Sequence, residues 1–184
     1  MTTAYARHHE SSRLPLAGTT RRRAVLRNAH ECRRPTVIAQ HERAENLLRS
    51  GVAEERAKAA ASLGQLRNIG SYMPLLHALA RESRPGHENR EVVSSILEAM
   101  DKIGSRHSGQ PPIREGREPL RKFIMAHLAD PGIVKIALEA MGWTGTREQS
   151  IHDPDEIRNE ARRAGYEATA RVAGDIHFER LFSD

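Results

Sequence analysis

Four stretches of the chain repeat one pattern of small and aliphatic residues closed by an arginine or a glycine. They are Ala61-Ser62-Leu63-Gly64-Gln65-Leu66-Arg67, Glu98-Ala99-Met100-Asp101-Lys102-Ile103-Gly104, Glu139-Ala140-Met141-Gly142-Trp143-Thr144-Gly145 and Ala168-Thr169-Ala170-Arg171-Val172-Ala173-Gly174. Their closing residues stand 37, 41 and 29 positions apart. A period of roughly 30–45 residues, with one helix pair in each period, is the mark of a helical solenoid. Small side chains let paired helices approach closely, and a terminal glycine suits the left-handed cap before the chain reverses. The expectation is an all-α domain over residues 35–184: a short right-handed solenoid of about four antiparallel helix pairs.

Punctuation between the repeats divides that domain into segments of helical length, each with an apolar stripe. Residues 36–50 and 53–67 end at Gly51 and near Asn68-Ile69-Gly70. Ser71 opens a third segment, with Pro74 in its first turn, and Asn89 caps a fourth that ends at Gly104. Residues 105–117, with Gly109, Pro111, Pro112 and Gly116, read as a loop before a helix over about 118–129. Asp130-Pro131 pairs an N-cap with Pro at N1. Asp153-Pro154-Asp155-Glu156 shows the same signature and predicts a helix start there, continuing to about Ala173. Gly174 would end that helix, and Asp175 would cap a short last one over 176–182. Aromatic residues make up only 4% of the chain, so the core is built from aliphatics and methionine, which suits packed helices better than a sandwich.

Lys58-Ala59-Ala60-Ala61-Ser62-Leu63-Gly64-Gln65-Leu66 and Ile133-Val134-Lys135-Ile136-Ala137-Leu138-Glu139-Ala140-Met141-Gly142 resemble the second helix of HEAT-like repeats of the phycobilisome-lyase type. The resemblance covers about residues 40–174 and implies the solenoid fold. It implies no single activity, since such repeats serve as adaptors, chromophore lyases, DNA-repair glycosylases and a metal hydroxylase.

Charge is concentrated at one end. Residues 1–40 hold eight arginines, including Arg21, Arg22, Arg23, Arg27, Arg33 and Arg34, against Glu10 and Glu31, for a net +6. The rest of the chain carries −1, so the pI of 9.9 belongs to this leader. Residues 1–34 show no sustained period and are expected to be a flexible tail. A solvated leader, an arm for phosphate or an acidic partner, and a mitochondrial presequence all have this composition. One cysteine, Cys32, allows no intrachain disulfide and points to a reducing, cytoplasmic setting; a presequence would place the protein in the mitochondrial matrix. Nothing approaches the roughly 20 apolar residues of a membrane span, which predicts a soluble chain with no membrane partner.

No catalytic motif stands out, and no catalytic, cofactor or metal residue is assigned. The His-Glu pairs at 9–10, 30–31, 41–42 and 87–88 match in number the iron-binding pairs of HEAT-repeat deoxyhypusine hydroxylases. Their positions do not: two lie in the leader, and only His87-Glu88 directly precedes the second helix of a pair. Acidic residues at helix starts, Glu54-Glu55 and Asp153 to Glu156, are explained by the macrodipole. Cys32, among arginines but without a fixed histidine, does not read as a catalytic thiol. Trp143 reads as a packing residue between repeats. The predicted function is a non-enzymatic adaptor or scaffold that takes a protein partner on its inner helices, around Arg56, Glu91 and Lys135. The alternative is a nucleic-acid-associated protein using the arginine arm; a lyase or hydroxylase activity follows only from fold analogy. Phe178 and Phe182 make the last helix more apolar than a solvated solenoid end needs. It therefore either folds back on the preceding helix or docks a partner or a second copy.

Overall fold

A computed structural model describes residues 36–84 and 89–182, and every element in them is helical. The helices are α1 (Val37–Leu47), α2 (Ala53–Leu66), α3 (Tyr72–Glu82), α4 (Arg90–His107), α5 (Pro111–Glu115), α6 (Arg117–Ala126), α7 (Pro131–Met141), α8 (Arg147–Arg163) and α9 (Glu167–Phe182), with a 3-10 turn at Ile69–Ser71. None is long and apolar enough to cross a membrane.

Local chemistry explains several starts. The Asn89 side chain accepts from the Val92 N–H, and Asp130 Oδ1 accepts from Gly132 and Ile133, each satisfying orphan donors at a helix N-terminus. Glu54 and Glu55 stand in the first turn of α2, where a negative charge meets the positive end of the helix dipole.

Helices α2, α4, α7 and α9 form a row in which each packs on the next, while α1, α3, α6 and α8 each pack on the row helix that follows them. Leu63, Leu75, Ile96, Leu97, Met100, Ile103, Leu120, Ile124, Leu138 and Met141 are fully buried in one continuous core. Gly64 shows why small residues recur along the row. A Cβ there would stand 2.8 Å from the Ala99 Cα, so α2 and α4 meet backbone to backbone.

Several predicted boundaries are corrected. Asp153-Pro154 does not start a helix but lies inside α8. Asp153 is only 5% exposed and is clasped by the Arg117 guanidinium, whose Nη2 and Nε both donate to it, so its carboxylate is not available as a cap. The macrodipole account of Asp153 falls with it. Thr146 is the cap instead: its hydroxyl accepts from Gln149 N while the Gln149 side chain accepts from Thr146 N. The break expected at Gly174 occurs at Gly165, which takes φ +80°. Tyr166 N donates to Ala161 O and Gly165 N to Arg162 O, a Schellman closure. Gly174 and Asp175 are internal to α9, so the fourth repeat stretch opens a helix rather than closing one.

The terminal glycines of the repeats do not supply left-handed caps either. Among the described residues positive φ occurs at Arg67, Gly109 and Gly165. Gly104 lies within α4, where a Cβ would fall 2.9 Å from Trp143 Cβ. The expected loop at 105–117 contains the last turn of α4 and all of α5.

Tyr72 is completely buried and its hydroxyl has no hydrogen-bond partner among the described residues. Burial pushes the phenol well above its ordinary value. Tyr72→Phe is expected to stabilise the protein by about 1 kcal/mol at neutral pH, because it removes an unsatisfied buried donor. The raised value adds a contribution that is intact below the unfolded-state pKa of about 10 and is lost as pH climbs toward the folded one. Urea midpoints at neutral pH and above about pH 10 should therefore fall less in the Phe variant. An equal fall in both proteins would show that Tyr72 does not carry this alkaline loss.

Candidate interaction surface

The exposed edge of the row carries charges of both signs. Glu54, Glu55 and Lys58 of α2, Glu91, Glu98 and Lys102 of α4, and Lys135 and Glu139 of α7 all reach solvent. Lys58 is held above its ordinary pKa by its hydrogen bond to Glu54, with smaller contributions from Glu55 and from Glu91 on the next helix.

At the α7 end of this edge, a pocket of about 380 Å³ opens among α4, α7, α8 and α9. Asp101, Glu139, Trp143, Arg147 and Arg180 line it, over a floor at Gly142. The Trp143 indole packs on Gly104, and its Nε1 donates to Asp101 Oδ1 at 2.7 Å. That bond fixes both the ring and the carboxylate. Arg180 reaches back from α9 and donates to Ser150 O at 2.7 Å and Leu138 O at 2.6 Å, tying three helices together. Burial lowers its pKa from the ordinary guanidinium value. Glu139 is raised by burial, and Asp101 adds to the rise, while Lys135 and Arg180 oppose it. Two carboxylates, two guanidiniums and an indole face thus meet in one concavity.

The residues predicted from helical phase are distributed differently. Glu91 and Lys135 stand on the exposed edge as expected, whereas Arg56 does not. Arg56 turns into the molecule, where Nε and Nη2 clasp the Glu82 carboxylate at 2.7 and 3.1 Å and Nη1 donates to Ser50 O. Its position on α2 faces the end of α3, and a buried Glu82 there needs a partner. Phe178 and Phe182 are 63% and 70% exposed and lie ring against ring, 4.6 Å between centroids, at the end of α9. They take no part in the pocket. Asp101, Glu139, Arg147 and Arg180 were not singled out in the sequence. One signal existed: Asp101 occupies the repeat position that Gly64 and Gly142 hold in the flanking stretches.

His41 binds Ser71 Oγ at 2.7 Å and lies 3.7 Å from Glu45. His9, His30, His87, Cys32 and the arginines at 21, 22, 23, 27, 33 and 34 lie outside the described residues. Among the described residues no group of three or more histidine or acidic side chains converges to hold a metal. Comparison of the chain with protein-family models, with curated proteins and with solved structures returns no match.

Proposed function

We propose that the chain is a short HEAT-like solenoid acting as a non-enzymatic interaction module, with a polypeptide partner seated along the exposed edge of α2, α4, α7 and α9. The carrying observation is the pocket at Trp143, a concavity on that edge with an aromatic wall and side chains of both signs. Aromatic and arginine side chains in a desolvated recess are the usual anchors of protein interfaces. The row of touching second helices supports the solenoid, since successive repeats stack through such helices. Mixed charge along the edge favours a polypeptide over a nucleic acid, because a phosphate backbone is drawn by a continuous basic stripe.

The test uses the intact protein with a photo-crosslinking residue at Glu139 on the edge or at Arg162, exposed on α8. Crosslinks to protein should form from position 139 and not from 162. They should survive nuclease and be weakened by Glu91→Lys. Crosslinks that disappear with nuclease would instead support the arginine arm as a nucleic-acid binder, and equal crosslinking from both positions would overturn the edge as the partner surface.

A further inference from the structure

Away from the Trp143 pocket, the turn between α1 and α2 and the C-terminal end of α3 enclose a second recess of about 430 Å³. Among the described residues Leu48, Ser50 and Gly51 line it together with four arginines, Arg49, Arg56, Arg81 and Arg84, and one acid, Glu82. We propose that this recess binds a phosphate monoester.

The charges in the recess do not cancel. Arg56 and Glu82 neutralise each other, the acid accepting both of its bonds from one guanidinium. Arg81 donates through Nη2 to Leu48 O at 2.9 Å, which positions the guanidinium without neutralising it. The side chains of Arg49 and Arg84 make no hydrogen bond or ion pair among the described residues. Glu55 is a further acid beside the recess and accepts from the Ser50 hydroxyl. Three arginines without a carboxylate partner among the described residues therefore line one concave site, where their fields add.

Guanidinium forks match phosphate oxygens in geometry, and one held in place loses little freedom on binding. A monoester carries close to two negative charges at neutral pH and presents three terminal oxygens, against one charge on each unit of a nucleic-acid backbone. One recess rather than a basic stripe suits the monoester. The Gly51 position is open, with nothing within 4 Å of where a Cβ would stand, so a ligand can approach the backbone there. The same chemistry comes from inorganic phosphate or from a phosphorylated side chain of another protein.

Calorimetric titration of the full chain with inorganic phosphate, a phosphoserine peptide, the same peptide without phosphate, and a single-stranded oligonucleotide tests this. Phosphate should bind saturably, and the phosphopeptide should bind more tightly as pH rises through its second pKa of about 6. Arg49→Gln and Arg84→Gln, both at exposed positions, should each weaken binding roughly tenfold. Arg162→Gln, on the distant α8, should change nothing. Tighter binding of the phosphopeptide than of phosphate identifies a protein-borne ligand, and equal or weaker binding a free one. The site is refuted if phosphate does not saturate, if the Arg49 and Arg84 variants bind as before, or if the oligonucleotide binds more tightly than both phosphate and the phosphopeptide through these same arginines. None of these outcomes depends on whether a partner occupies the Trp143 pocket.

Discussion

Gly64→Ala is expected to destabilise the fold by about 2–3 kcal/mol, the cost of forcing an extra methyl group into a closed contact. The added Cβ would meet the Ala99 Cα at 2.8 Å and its Cβ at 2.9 Å. No rotamer change relieves a clash with backbone, so α2 and α4 must separate. Their contact is among the most extensive between helices, and the loss spreads to Leu63, Ile96 and Met100 around it. For a domain of this size the melting temperature should fall by roughly 5–10 °C. Ala61→Gly on the exposed side of α2 is the control, and it should cost only the roughly 1 kcal/mol helix propensity of glycine. If Gly64→Ala proved no worse than that control, the close approach of the row helices would be wrong.

Asp153→Ala should cost a similar amount, about 2–3 kcal/mol. Removing one member of a buried ion pair leaves the other charge uncompensated, and Asp153 is nearly inaccessible. The loss stays below the full range for buried pairs because Arg117 retains 26% of its side-chain surface and can turn to water. Arg117→Ala should cost about as much, and the double variant less than the sum of the two, since both singles break one interaction. Urea denaturation of the three proteins measures this coupling. Lys58→Ala, which breaks the fully exposed pair with Glu54, should leave the midpoint unchanged. Strict additivity at Asp153 and Arg117 would show that their contact does not hold α6 against α8.

What was legible in the sequence was what is local. An apolar stripe at helical spacing, an Asn89 or Asp130 side chain bonding the N–H two or three residues ahead, and acids in the first turn of α2 all act within one turn of chain. Nothing outside that turn is needed to read them, and the corresponding helices lie where they were expected. The recurrence of small residues also told that helices approach closely, but not where.

Tertiary structure alone decided what each signal was for. Asp153-Pro154 carries the signature of a helix start, but Arg117, 36 residues away, binds its carboxylate, and Thr146 caps the helix instead. Gly104 reads as a cap until Trp143 is found lying on it. Asp101 and Trp143, or Arg180 and Leu138, meet across 42 residues because the row helices that carry or flank them pack on one another. Such contacts depend on the rotation of one helix against the next, and a change of one residue in phase turns a side chain by about 100°. That sensitivity placed Arg56 on the exposed edge in sequence and against Glu82 in the folded chain. Periodicity identifies a face, whereas the partner on that face is chosen by packing.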